Sequence, residues 1–138
     1  HYTALEPFPL NENILNELAL GFSPEVSLLM KDIHQLSWGV EGHLNKDFSL
    51  IKYQTELQTF NSCLKYDIIY YDAFAPEKQP ELWDLSVFQK CYALLAVGGV
   101  LTTYCAKGYV KRNMQEAGFR VEKVPGPPGK REMLVAFK

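Results

Sequence analysis

Residues 66–76 read Tyr66-Asp67-Ile68-Ile69-Tyr70-Tyr71-Asp72-Ala73-Phe74-Ala75-Pro76, and this stretch decides the fold. Its first six positions are almost continuously apolar or aromatic. That is the pattern of a central parallel strand buried on both faces, not of a strand with one side in water. Asp72 marks the end of the strand, and Ala73-Phe74-Ala75-Pro76 reads as the loop that leaves it.

Downstream, Pro80-Glu81 opens a helix carrying Trp83, Leu85, Val87, Phe88, Tyr92 and Leu95, and Gly98-Gly99 stops it before a strand over 100–104. This is one complete βαβ crossover. A further helix is expected from about Lys107 to Ala117, ending at Gly118. Strands over 119–124 and 133–137 flank Pro125-Gly126-Pro127-Pro128-Gly129, a turn-rich loop that reads as a hairpin.

Upstream, Tyr2-Thr3-Ala4-Leu5 is a short strand ending in a carboxylate, Glu6, with Pro7 and Pro9 forbidding helix beyond it. Asn11 caps a helix with Ile14, Leu15, Leu18 and Ala19 at helical spacing, which Gly21 ends. Ser23-Pro24-Glu25 opens a second helix whose apolar face is Val26, Leu29, Met30 and Ile33. Gly39 and Gly42 loosen the chain before a strand over 48–53, and Glu56, Leu57, Phe60 and Leu64 suggest a short helix. Alternating strands and helices closed by a β-β pair imply an α/β fold. The sheet is expected to be mostly parallel, with helices on both faces and one antiparallel strand at its edge.

The totals restrict the function. At 138 residues, one domain and one site are expected. A composition 47% hydrophobic and 22% charged belongs to globular chains, not to disordered or fibrous ones. No run approaches the roughly 18 apolar residues of a membrane span, and the first residues lack a signal-peptide pattern, so a cytoplasmic protein is the expectation. Cys63, Cys91 and Cys105 suit neither a disulfide framework nor a paired-cysteine metal site and read as buried thiols. His1, His34 and His43 lack partners at ligand spacing, so no metal is expected. A net charge of −2 argues against non-specific coating of nucleic acid, so any RNA contact must come from a local patch.

In an open α/β sheet the ligand lies beyond the carboxyl ends of the strands. The residues to weigh there are Glu6, Glu56, Asp72 and the Cys105-Ala106-Lys107 segment. Glu6 is placed either to accept hydrogen bonds from ribose hydroxyls or simply to face solvent. Asp72, flanked by Tyr71 and Phe74, reads as a partly desolvated acid whose proton affinity is open to tuning, or as the cap of the next element. Phe74, Trp83 and Tyr109 are candidates to stack on a base, against a core role for each. Lys107, Lys111, Arg112, Lys130 and Arg131 form either one basic patch or a solvated face.

The stretch Asp72-Ala73-Phe74-Ala75-Pro76-Glu77-Lys78-Gln79-Pro80-Glu81-Leu82-Trp83 resembles the Asp-x-Phe-x-Pro-x-x-x-Pro-x-x-Trp signature of the methyltransferase domain of the MnmC family. The resemblance continues through Gly98-Gly99-Val100-Leu101-Thr102-Thr103-Tyr104, residues 106–112, 115–119 and Gly129-Lys130-Arg131-Glu132-Met133-Leu134, and touches Glu6-Pro7-Phe8-Pro9-Leu10. It implies a class I, Rossmann-like methyltransferase using S-adenosylmethionine, with tRNA as partner and no flavin in this segment. The reaction it implies is methyl transfer to the aminomethyl nitrogen of a wobble 5-aminomethyl-2-thiouridine. On that resemblance Glu6 holds the cofactor's ribose, Glu56 lies near its adenine, and Asp72 orients the substrate amine. Phe74 joins the cofactor site, and the five basic residues belong to the RNA side.

One departure shapes the expectation for the domain. Members of the family carry a glycine-containing loop after their first strand, and no stretch here joins a strand to a helix through such a loop. Residues 1–138 therefore read as the carboxy-terminal portion of a single methyltransferase domain, with the first strand and glycine loop missing and the segment alone inactive. A sheet edge left open in this way would favour homo-oligomers. Two other readings share the fold: methylation of a different amine or RNA, and a degenerate module that binds or dimerises without catalysis.

Overall fold

The computed structural model describes all 138 residues, which gather into two compact units, His1–Phe60 and Asn61–Lys138. In the first, β1 (Tyr2–Leu5) pairs in parallel with β3 (Phe48–Tyr53), and β3 pairs antiparallel with β2 (Gly42–Asn45), giving the order β1-β3-β2. Two helices, α1 (Glu12–Ala19) and α2 (Pro24–Gln35), lie between β1 and β2 in sequence. Their caps are those the sequence predicts. Asn11 Oδ1 accepts from Ile14 N at 3.0 Å and Ser23 Oγ from Val26 N at 3.5 Å, with Pro24 in the first turn. Lys52, buried on β3, donates to His34 O at 2.9 Å and holds a carbonyl at the end of α2, while its ammonium sits 4.8 Å from the Trp38 ring centroid. Burial keeps the Lys52 ammonium below the usual lysine range.

The second unit is a four-stranded sheet in the order β4-β5-β7-β6: β4 (Tyr66–Tyr71), β5 (Leu95–Thr103), β6 (Arg120–Pro125) and β7 (Glu132–Phe137). β4 and β5 are parallel, and β7 runs antiparallel to both β5 and β6. A 3-10 turn over Pro80–Trp83 precedes α3 (Leu85–Leu94), and α4 (Gly108–Glu116) joins β5 to β6. The core lies between one face of the sheet and these two helices. Leu101, Leu134, Ala136 and Val121 are buried from the strands, and Val87, Phe88, Cys91, Leu94, Val110 and Met114 from the helices. Lys138 closes this side by donating to Tyr92 O and Leu95 O at 2.7 and 2.8 Å, so its charge caps the end of α3.

Several expectations are corrected. The antiparallel strand of the closing hairpin is β7, which lies inside its sheet, because it pairs with β5 on one side and β6 on the other. β4, expected to be central, is an outer strand of its unit, and Ile68 and Tyr70 on one face are half-exposed or more. Helices of the second unit cover one face of its sheet. No helix forms around Glu56–Leu64: a turn replaces it, with Thr59 N and Phe60 N both bonded to Glu56 O. The apolar spacing there reflects Phe60, which is buried with its ring 5.4 Å from that of Tyr53. α3 stops at Leu94 and β5 begins at once. Gly98, at φ 80°, then absorbs a register shift in which Leu95 faces Tyr66 but Val100 faces Ile68. β2 was not foreseen.

The thiols also divide differently: Cys63 is exposed, and Cys91 and Cys105 are buried. Burial pushes the Cys91 thiol up to about 12. Alkylation of the folded protein at neutral pH is expected to label Cys63 fast and the other two after denaturation, with mass spectrometry reporting the order. Phe88→Ala, which empties a fully buried ring site, should lower unfolding free energy by about 3–5 kcal/mol in a denaturant titration.

Candidate functional site

The ends of β4 and β5 open on a cavity of about 300 Å³ lined by Tyr70, Tyr71, Asp72, Thr102, Thr103, Tyr104, Pro127, Lys130 and Met133. Asp72 is the first residue past β4, and Tyr104 the first past β5. Pro127 and Lys130 come from the loop joining β6 to β7, which antiparallel pairing brings back over β5. The cavity thus holds a carboxylate, an ammonium and three phenol rings. The hydroxyl of Thr102 is buried there without a hydrogen-bond partner in the protein.

The loop that carries Asp72 is held from several sides. Trp83, completely buried, donates from Nε1 to Phe74 O at 2.8 Å. The Tyr104 hydroxyl donates to Ala73 O at 2.8 Å. Asn113 on α4 donates from Nδ2 to Trp83 O at 2.9 Å, and the Tyr71 hydroxyl donates to Leu82 O. The Trp83 ring meets the Tyr71 and Tyr104 rings edge-on, at 5.3 and 6.0 Å between centroids. Lys107 pairs with Glu77 on the same loop. Burial raises the Tyr71 hydroxyl far above the usual phenol range, so it remains a donor.

Each residue singled out in the sequence has a defined place. Asp72 and Lys130 are brought together at one cavity. Asp72 is exposed, which corrects the expectation of a partly desolvated acid: the aromatic neighbour Tyr71 turns into the core and Phe74, 68% exposed, turns to solvent. Trp83 is a core residue with no free face, whereas Phe74 and Tyr109 remain accessible. Among the five basic residues, Lys107 is engaged with Glu77, and Lys130 lies 4.3 Å over the Tyr104 ring. Lys111 and Arg112 lie on α4, half-buried and exposed, and Arg131 is exposed beside Glu132. The first unit holds Glu6 and Glu56. They follow the ends of the paired parallel strands β1 and β3, where Leu5 stands opposite Tyr53, and both side chains are exposed. Glu6 Oε1 accepts from Phe8 N at 2.8 Å. No group of three or more histidine, cysteine, aspartate or glutamate side chains converges as a metal site would need. No helix is long and apolar enough to cross a membrane. Sequence reasoning missed Tyr104, because a tyrosine inside a predicted strand carries no sign of the carbonyl it will meet.

Comparison with known proteins gives a consistent family. A family model described as S-adenosyl-L-methionine-dependent methyltransferase matches residues 15–138. The tRNA 5-methylaminomethyl-2-thiouridine biosynthesis bifunctional protein MnmC of Pseudoalteromonas translucida is 31% identical over 98% of the chain, which spans 22% of that protein. Its counterpart in Cupriavidus metallidurans is 36% identical over 75% of the chain and 15% of its own length. The chain therefore spans about a fifth of the curated relatives it matches. Among solved structures, MNMC2 from Aquifex aeolicus shares the fold with a TM-score of 0.73, over 97% of this chain and 42% of that one, at 21% identity.

The Lys107–Glu77 pair is solvent-exposed on both sides. Lys107→Ala should therefore shift unfolding free energy by less than about 1 kcal/mol in urea, which would place any larger effect of this residue on ligand binding rather than stability.

Proposed function

The chain belongs to the S-adenosyl-L-methionine-dependent methyltransferase family, and we propose that it serves methyl transfer to the aminomethyl nitrogen of 5-aminomethyl-2-thiouridine at the tRNA wobble position. The observation that carries this reading is Asp72, an exposed carboxylate at the mouth of the β4–β5 cavity on a loop fixed by Trp83 and Tyr104. The naming of the MnmC relatives after 5-methylaminomethyl-2-thiouridine supports the choice of amine and of tRNA.

S-Adenosylmethionine, when bound, supplies a methyl group already activated on a sulfonium. The protein's own contribution is then alignment and proton handling. Asp72 serves both: its carboxylate accepts a hydrogen bond from the amine N–H, directs the nitrogen lone pair, and takes the proton that the nitrogen sheds. In the first unit, Glu6 and Glu56 suit the cofactor's ribose and adenine. A carboxylate offers about four acceptor sites, and Phe8 N uses one on Glu6, so sites remain for ribose hydroxyls. Phe74, with its ring open to solvent, is proposed to flank the cofactor. Lys130, Arg131, Lys111, Arg112 and Lys107 are proposed for the phosphate backbone, which binds through local positive charge even on a chain of net charge −2.

The test uses the full-length protein. Calorimetric titration with S-adenosylmethionine should show binding, and labelled methyl should pass to tRNA that carries the unmethylated aminomethyl group. Asp72→Asn is expected to lower kcat by about 100-fold while leaving cofactor affinity near wild type. Wild-type turnover in Asp72→Asn removes this residue from the reaction. Transfer to small amines in preference to tRNA would replace the substrate.

A further inference from the structure

We propose that Tyr104 is the positioning residue of this site, and that it sets the place of the Asp72 carboxylate through the Ala73 carbonyl while its ring carries the Lys130 ammonium. The inference rests on the methyl-transfer reading for what Asp72 does, but the geometry of the clamp stands apart from it.

Three contacts meet at this one side chain. Its hydroxyl donates to Ala73 O at 2.8 Å, the carbonyl directly following Asp72. Its ring edge packs against Trp83 at 6.0 Å and 82°, and Trp83 in turn holds the next carbonyl, Phe74 O. Its ring face lies under Lys130 Nζ at 4.3 Å. Two consecutive carbonyls after Asp72 are thus fixed by side chains distant in sequence, and the second fixing group is buttressed by the first. Backbone rotation at Ala73 would swing the Asp72 side chain, and a displacement of about 1 Å is enough to cost up to 100-fold in an aligned reaction. Trp83 cannot do this alone, because it grips the loop one residue further from the carboxylate.

The hydroxyl is suited to a permanent donor role. Burial, the neighbouring Cys105 and then Asp72 all raise it above the usual phenol range, so it keeps its proton throughout neutral pH. The Lys130 contact adds a second consequence. Lys130 is in the β6–β7 loop and Asp72 in the loop after β4, so Tyr104 joins a cation from one to the carboxylate of the other. Engagement of a tRNA phosphate by Lys130 would act on the tyrosine ring whose hydroxyl holds the reacting loop.

Two variants of the full-length protein separate these roles. Tyr104→Phe keeps the ring, and therefore the Trp83 and Lys130 contacts, but loses the hydrogen bond. It should lower kcat by 10-fold or more while KM for tRNA and affinity for S-adenosylmethionine stay within about two-fold. Tyr104→Leu removes the ring as well and should additionally raise KM for tRNA, with a salt dependence shallower than wild type because Lys130 loses its platform. Hydrogen exchange of the amides from Ala73 to Lys78 gives a readout independent of turnover: Tyr104→Phe should speed it locally while the β5 amides stay protected. Unchanged exchange together with wild-type kcat in Tyr104→Phe overturns the proposal, as does a loss confined to KM. A wild-type protein that methylates no tRNA, with the exchange difference still present, sinks the substrate reading and leaves the clamp standing.

Discussion

The site of this protein depends on how the short loop from Asp72 to Pro76 is held. A strand end is a poor place to fix a side chain, because the backbone beyond the last ladder bond is free to rotate. Here the freedom is removed by two donors on rigid supports. The indole of Trp83 is sealed in the core, with its single N–H spent on Phe74 O, and the phenol of Tyr104 projects from the end of β5 onto Ala73 O. Burial makes these bonds costly to break, since a lost partner would leave a desolvated donor or acceptor behind. Asp72 itself is left exposed at the cavity mouth. Rigidity is built into the neighbours, and the carboxylate stays accessible.

The hydrophobic side of the second unit serves this arrangement. α3 and α4 cover one face of the sheet with Phe88, Leu94, Val110 and Met114, and α4 also sends Asn113 to Trp83 O. Packing of the two helices therefore fixes the height of the indole, and the indole fixes the loop. Lys138, donating to Tyr92 O in α3 and to Leu95 O just after it, ties β7's far end to the same helix. Stability and site geometry therefore share a set of contacts.

What was legible in the sequence follows from range. Asn11 and Ser23 cap helices because capping needs only four consecutive residues, and both were read correctly. The closing hairpin was legible because Pro125-Gly126-Pro127-Pro128-Gly129 admits little but a turn. Asp72 stood out by following an apolar run. β2 was not legible, since Gly42–Asn45 is too short to show alternation and takes its strand character from β3. The helix expected near Phe60 was wrong for a related reason: burial of one ring against Tyr53 imitates a helical spacing. The parallel partnership of β4 with β5 was legible in the crossover between them, whereas the place of β4 at the edge of its unit was not, because an apolar run says that a strand forms and not whether a second strand flanks it.

Charge was the least legible layer, and the reason is physical. Lys107 and Lys130 look alike in sequence, each near a glycine and each outside a strand. One meets Glu77 across open solvent, an interaction worth little because water screens it. The other lies on the face of Tyr104, where the ring excludes water from one side of the ammonium and no carboxylate neutralises it. Lys130 thus stands at the edge of the Asp72 cavity without an ion-pair partner, whereas Lys107 is engaged with Glu77. A basic patch counted from sequence weights the two equally; the structure makes Lys130 the cation whose charge is directed at the cavity.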